Sequence, residues 1–584
     1  KLNEFILTGH NIDGTLKGVF SGVLNPKDFG AKGDGLNNDA PAFQAMVDSV
    51  PANGRASVVI PPGTYKLNTV ITVTNKFISW YGCGPNVTEL RFLTSGFDVN
   101  APTADPNGKP TLLIKDMSIL SIGIVTNGVT PNTFAIKYRG TTTTGIGGSA
   151  LLASNLVIEG LDWNNNAFGV IFDIADCQKG RIENVMALGK NGVHVADPND
   201  PTSTTAYFVK IGRNSTGLQI HHCEIFLVHT CVGILDGTSE GIYVSDCIFV
   251  KCHRGVVADK SLTGGAMGGL QVFRNHIAVF KEAVLLIRGS TGTGVNEVHI
   301  SENYILPRGD ALATEASVGI KVGGERIHIT NNLLLLNTGG PGASYTGITI
   351  DSASGGPEVN VVTGNIIQNY NNNASIILAA GTQGNVITSN IINGTGGILD
   401  NGVPASDNPN IIRFNIGSNA NKMDICRVKK SVTQAIPNTD PSTYQGTQVT
   451  FDTEIFDRFN TFNAAGSYIS IPGGVTQVRL TAGVRFDVPS GTTNTNSGIY
   501  SLAIFKSNPA TDVLICRQVI ESTSGKGIKN PDGSGDGIAL CVDSGVITTT
   551  GGEQFSIWVH QHTDDTTLNI LNTPETFFSV EFHR

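Results

Sequence analysis

Five stretches of this chain share one pattern: LQIHHCEI (218–225), IYVSDCIF (242–249), LQVFRNHI (270–277), VHISENYI (298–305) and IHITNNLL (327–334). Each reads apolar-x-apolar-x-x-(Asn or Cys)-x-apolar. Weaker copies follow at VVTGNII (361–367), VITSNII (386–392) and IIRFNI (411–416). The marked position holds Cys223, Cys247, Asn275, Asn303, Asn332, Asn365, Asn390 and Asn415, spaced by 24, 28, 28, 29, 33, 25 and 25 residues. A near-constant period of this size means one supersecondary unit stacked on itself. Alternation of period 2 inside each copy makes the unit a strand unit. No long stretch between copies has helical periodicity. The expected fold is therefore a parallel β-helix, one coil per repeat, with the Asn/Cys column as scaffold: stacked amides bond one another and the backbone, and Cys is a small buried substitute.

Composition agrees. The 584 residues include 70 glycines, and only 15% are charged, against about 25% in ordinary domains. A net charge of −9, spread along the chain, speaks against nucleic acid and anionic membranes as partners. No apolar run reaches 18 residues, so no membrane insertion is expected. The chain starts at Lys1 and shows no secretory signal, which reads as a processed or truncated form. Nine cysteines, several in apolar strand patterns (Cys83, Cys223, Cys247, Cys516, Cys541), suggest buried free thiols and assembly in a reducing cytoplasm. No zinc-spaced His/Cys set occurs, and no metal or cofactor is expected.

The segment 38–50 places Phe43, Met46, Val47 and Val50 at helical spacing, with an N-cap near Asp39 and Pro41 in the first turn. SVVIPPGTYKL (57–67) reads as strand, Pro-Gly turn, strand. Together NPKDFGAKGDG, ND-APAFQ and VVIPPGTYKL resemble the N-terminal entry of the pectate-lyase-like superfamily of right-handed β-helices, in the version common among bacteriophage tailspikes. The whole layout resembles capsule-degrading tailspikes of Acinetobacter phages. That resemblance implies a helix capping the open coil end, a homotrimer, attachment to the phage tail or baseplate through a missing N-terminal region, location in the virion, and a bacterial surface polysaccharide as partner.

The expected organisation is a lead-in and capping helix (1–54), a parallel β-helix (55–428), a polar neck (429–448) and an antiparallel jelly-roll-like sandwich (449–584), the last from its alternating aromatics and Gly/Pro turns. Long insertions such as ADPNDPTSTTAYF (196–208) are expected on the binding face. Trp80 and Trp163 read as packing residues, and HQH (560–562) as polar surface.

The residues between inward positions form outward columns about 4.8 Å apart from coil to coil. One holds His222, Asp246, Arg274, Glu302 and Asn331. A second holds Gln219, Tyr243, Gln271, His299 and His328, and a third His221, Ser245, Phe273, Ser301 and Thr330. Asp246 and Glu302, two coils apart, suit the carboxyl separation of an inverting glycosidase. Arg274 between them would hold one carboxylate ionised or grip an acidic sugar. Tyr243, Gln271, Arg274, His299, Tyr304 and His328 are the candidate substrate-binding residues. Outward Asp, Arg and Glu on neighbouring coils also make ordinary surface ion pairs. Glu240, Asp259 and Glu282 are alternative catalytic acids, and Asp236, Glu315 and Glu325 lie on loops. The functions weighed are hydrolysis of a polysaccharide, elimination on the same fold, a non-catalytic receptor-binding fibre, and a secreted plant-wall pectinase, which the missing signal and the C-terminal module disfavour.

Overall fold

The computed structural model describes residues 23–102, 111–124, 132–141, 150–190, 205–235, 237–261, 265–288, 294–306, 317–336, 345–351, 359–369, 374–394, 397–402, 410–417, 425–437, 446–457, 461–471, 475, 477–487, 498–508, 511–522, 537–549, 552–562, 567–570 and 576–583. Asp236, Glu315 and residues 1–22 lie outside them. Two units emerge: 1–402 with 410–421, and 403–409 with 422–584.

The first unit is a right-handed parallel β-helix. One coil runs through Thr230–Ile234, Ser239–Glu240, Tyr243–Ser245 and Ile248–Cys252 before returning as Arg254–Asp259. Among the described residues, parallel sheets of 24, 12 and four strands collect these pieces. The expected interior stack is present: Ile220, Val244, Val272, Ile300 and Ile329 pair in register and are fully buried. Val362, Ile387 and Ile412 extend it.

The doubled x-x of the repeat is a corner. The residue before each Asn or Cys of the column has positive φ (His222, Asp246, Arg274, Glu302, Asn331, Gly364, Ser389 and Phe414), and so do Asp116, Asn155 and Asn184, which precede the buried apolar residues Met117, Leu156 and Val185 in earlier coils. A left-handed residue there resets the alternation, so two successive side chains face outward and the next faces in. Asp and Asn tolerate this conformation through local hydrogen bonds, and other L residues are strained by roughly 1–2 kcal/mol. Gly364 also answers a close approach: a Cβ there would sit 2.3 Å from Asn331 Oδ1.

The inward asparagines compensate. Asn303 Oδ1 accepts both the backbone N–H and the side-chain Nδ2–H of Asn275, each at 3.0 Å. Asn332 does the same for Asn303, Asn365 for Asn332, Asn390 for Asn365 and Asn415 for Asn390. Each amide donates onward to an interior carbonyl, as Asn303 Nδ2 does to Val272 at 2.9 Å. A second ladder, not anticipated, runs through Asn360, Asn385 and Asn410 at the preceding corner, just before the strands Val361–Thr363, Val386–Thr388 and Ile411–Arg413. Val359 and Gly384, just before its first two members, again have positive φ.

At the N-terminal end the helix spans Ala40–Asp48 and buries Phe43, Met46 and Val47 in the core of the β-helix. Phe43 packs edge-on to Tyr65 and parallel to Trp80. Asp39 stands at the N-cap, but its carboxylate bonds elsewhere. It accepts from the backbone N–H groups of Lys32 and Gly33 at 2.6 and 3.1 Å. The GAKGDG loop is thereby pinned to the start of the helix.

The second unit is an antiparallel sandwich of a seven-stranded and a six-stranded sheet among the described residues, with one core that includes Val428, Val478, Leu480, Phe555, Ile557 and Phe578. Here the expected neck is corrected. Ile425–Lys429 pairs with Phe577–His583 and Thr453–Asp457, Gln434–Pro437 with Thr567–Ile570, and Thr447–Gln448 with Gln554–His562. The polar composition of that segment reflects edge strands with one wet face. Two thiol expectations also change: Cys83 and Cys541 are exposed, whereas Cys177, Cys223, Cys231, Cys247 and Cys252 are buried and free.

Two substitutions check this frame. Val272→Asp buries an unpaired charge and should abolish folding; soluble protein with native circular dichroism would show the register wrong. Asn332→Ala leaves the Asn303 amides without their acceptor, so it should destabilise by about 2–4 kcal/mol, seen as a lower thermal midpoint and faster hydrogen exchange in the flanking coils.

Candidate functional site

The corner column puts charged groups on rigid backbone. Asp246 and Arg274 occupy equivalent left-handed positions one coil apart and form a two-pronged ion pair: Arg274 Nε donates to Asp246 Oδ1 at 2.8 Å and Nη2 to Oδ2 at 3.0 Å. That contact is the main reason the Asp246 carboxyl sits below the ordinary aspartate range. The guanidinium lies 4.7 Å from the centre of the Phe273 ring. Glu302 follows on the next coil, exposed, and its charge also acts on Arg274. The surface-pair alternative is thus realised for Asp246 and Arg274, while Glu302 remains unclaimed by a short ion pair among the described residues.

On the other side of Asp246 lies a cluster in which two residues absent from the sequence columns, Glu183 and Arg181, join His221 and His222. His221 Nε2 is 3.3 Å from Glu183 Oε2, and its Nδ1 meets His222 Nδ1 at 2.7 Å. Arg181 approaches Glu183 to 3.6 Å. With a proton on His221 Nε2 facing the carboxylate, the shared proton between the rings sits on His222 Nδ1. Burial pushes the His221 imidazole below the ordinary histidine range; Glu183 opposes this, while His222 and Arg181 add to it. Glu183, His221, His222, Asp246, Arg274 and Glu302 thus form one ionisable row along a single corner over five coils. The signal was present in the sequence, because Glu183 stands one residue before Asn184, as His221 stands before His222. The weak repeat in that coil hid it.

The substrate-binding candidates flank this row. Gln219, Tyr243, Gln271, His299 and His328 are in register, and the His299 and His328 rings stack at 4.9 Å. Burial, then His299, lowers the pKa of His328. Tyr304 belongs to the strand after the corner, where its ring lies 5.0 Å from that of His276, and burial lowers the pKa of His276. The alternative acids are not brought to this corner. Glu240 is in the four-stranded sheet. Asp259 accepts from the N–H and hydroxyl of Ser261. Glu282 is buried on the 12-stranded sheet, bonded to Arg254 Nε at 2.8 Å. Glu325 pairs with Arg288 at 2.7 Å. Trp80 is buried as expected, but Trp163 is 44% exposed.

Residues 23–257 match the family described as rhamnogalacturonase A/epimerase, pectate lyase-like. Among solved structures the chain is similar in fold to phage tailspike proteins. A mutant tailspike protein of E. coli bacteriophage HK620 superposes with a TM-score of 0.50 at 11% identity, covering 100% of this chain and 99% of that one. A tailspike protein, gp49, of Acinetobacter baumannii bacteriophage Fri1, described as a capsular polysaccharide depolymerase, gives a TM-score of 0.36 at 10% identity over 97% of this chain and 89% of that one. Among curated proteins, Mannuronan C5-epimerase AlgE3 of Azotobacter vinelandii is 48% identical over 48 residues, 8% of this chain and 3% of its own length. Alginate lyase 7 of the same organism is 36% identical over 74 residues, 11% of this chain and 9% of its length. The chain thus spans under a tenth of these curated relatives.

The three lowered histidines make the fold sensitive to acid. A folded-state pKa below the unfolded value of about 6.5 means the unfolded chain binds more protons in that window, so stability is present above it and lost as pH falls. Acidification from about pH 7 to 5 should lower the thermal midpoint. Glu183→Gln, which removes the opposing carboxylate, should drop the His221 titration further in ring-proton NMR; an upward shift would contradict the contact.

Proposed function

We propose that this chain is a phage tailspike depolymerase that binds bacterial capsular or other surface polysaccharide and cleaves it by glycoside hydrolysis. The observation that carries this reading is the placement of Asp246, Arg274 and Glu302 at successive rigid corner positions. Two coils separate the acids, roughly 9–10 Å between Cα atoms, a span from which carboxyl groups can reach the 6.5–9.5 Å of an inverting site. Arg274 keeps Asp246 ionised, which suits a base that activates water. Glu302, free of a short ion pair among the described residues, is the acid that protonates the leaving oxygen. Tyr243, Gln271, His299, Tyr304 and His328 supply stacking and hydrogen-bonding surface beside them. Whole-chain likeness in fold to a tailspike supports the wider assignment: a homotrimer carried in the virion and joined to the phage tail or baseplate.

Elimination is the second reading, favoured by His221. A half-buried imidazole held below its ordinary range, with Glu183 at one nitrogen and His222 at the other, is a ready base for the proton beside a uronate carboxylate, which Arg181 or Arg274 would neutralise.

Incubation with capsules from a panel of bacterial strains separates these readings. Gain of reducing ends without ultraviolet absorbance means hydrolysis; a new conjugated-alkene absorbance means elimination; retained binding without product means a fibre. Asp246→Asn and Glu302→Gln should each reduce turnover by on the order of 10²–10⁴, non-additively, with binding preserved. Near-normal cleavage by both would remove the assignment of the pair. Arg274→Ala should weaken binding of an acidic polymer, less so at high salt. Sedimentation should give three times the chain mass; a concentration-independent monomer would remove the tailspike assignment.

A further inference from the structure

The first coils expose a second surface that the corner row does not use. Leu93, Leu161 and Trp163 are 41%, 48% and 44% exposed, at the ends of the strands Thr88–Phe92 and Leu151–Gly160. Trp163 is not on a loose loop. Asp162 accepts from the Asn164 N–H at 3.0 Å and from Asn165 Nδ2 at 2.6 Å, and its own N–H donates to Asn166 Oδ1. Asn166 Nδ2 in turn anchors the turn to the Gly123 carbonyl at 3.1 Å, in a buried position. The indole is therefore presented on a turn braced at both ends, with its rotational freedom the main thing left to lose.

Polar groups border this platform. Arg91, Leu120 and Glu159 occupy one column over three adjacent coils. Arg91 donates through Nε and Nη2 to Glu89 Oε2 at 3.1 and 2.7 Å. Glu159 has no hydrogen bond or ion pair among the described residues, although it is half-buried. Burial, and then the Glu89 carboxylate, push its pKa above the ordinary glutamate range. It therefore holds its proton to higher pH and can donate as well as accept.

We propose that Trp163, Leu161 and Leu93, bordered by Glu159, Glu89 and Arg91, form a separate saccharide-binding subsite for an uncharged pyranose unit of the polymer. A pyranose offers an apolar C–H face and a rim of hydroxyls. The indole covers the face, Glu159 and Glu89 take hydroxyl donors, and Arg91 donates to a ring or hydroxyl oxygen. Two carboxyl groups against one guanidinium disfavour a uronate here, in contrast to the arginines of the corner row. A long polymer would be held at both places, which raises its apparent affinity beyond that of either site alone.

The inference rests on the polysaccharide reading, and its test does not depend on cleavage. Full-length protein carrying Glu302→Gln is titrated with each purified capsular polysaccharide of the strain panel, following tryptophan fluorescence and, separately, surface-immobilised binding. The chain has three tryptophans: Trp80 is buried and Trp558 half-buried, so Trp163 dominates the response to solvent. Binding should shift the emission. Trp163→Phe should abolish most of that shift while keeping most of the affinity, and Trp163→Ala should weaken binding about tenfold, the scale of an aromatic anchor. Glu159→Ala should weaken it several-fold and Glu159→Gln much less. Unchanged affinity of Trp163→Ala overturns the subsite alone. If that variant binds normally but sediments differently, the surface is a contact between copies, and the proposal also fails. Absence of binding to every polysaccharide by the parent protein overturns both this subsite and the proposed function.

Discussion

A parallel β-helix must turn corners inside its own core, and each turn points backbone donors into an interior without water. The asparagine ladder meets that constraint. One Oδ1 accepts two donors from the preceding coil, while the same amide donates to a carbonyl within the core, so each coil is tied to the next at a fixed height. An unsatisfied buried amide would cost on the order of 1–3 kcal/mol per coil. The left-handed residue before each asparagine is the other half of the device, because it turns the chain and presents its own side chain outward at the corner. Strain at those residues is tolerated where the neighbouring ladder over-determines the backbone.

The corner row inherits its rigidity from this arrangement. Residues on flat strands point away from the sheet with some freedom along it. Asp246, Arg274 and Glu302 instead project from a backbone bend locked above and below. Charges at this spacing choose partners along the column, which explains the alternation of acid, histidine pair, acid, guanidinium and acid from Glu183 to Glu302. Burial near Glu183 and exposure near Glu302 grade the row: His221 is held below its ordinary range at one end, and Arg274 holds Asp246 ionised toward the other. The row thus carries carboxyl groups and an imidazole side by side along one corner.

The N-terminal entry shows a similar economy. The Asp39 carboxylate secures the Lys32 and Gly33 amides, while the helix that follows it supplies Phe43 to Trp80 and Tyr65. The acidic residue at a helix start therefore works as a clamp on the preceding loop, leaving Asn38 Oδ1 to accept from Ala40.

The amino-acid sequence by itself determined the coil period, the inward stack through Val272, the scaffold role of Asn275 to Asn415, the capping helix and the antiparallel C-terminal module. These follow from local periodicity, because burial on a repeating strand writes itself into every second residue. It also placed Asp246, Arg274 and Glu302 in one column, since equal positions in successive repeats must stack. Tertiary structure decided what that column is: a line of left-handed corners, a conformation that the paired outward positions imply only once the bend is seen. It decided that Arg274 closes on Asp246, that Glu183 joins the row through His221 from a coil with a blurred repeat, and that Glu240, Asp259 and Glu282 face elsewhere. Ile425–Lys429, Gln434–Pro437 and Thr447–Gln448 became sandwich strands and Trp163 became surface for the same reason. Side-chain partners, and which face of a strand or turn meets water, depend on neighbours dozens to more than a hundred residues away, which no local pattern encodes.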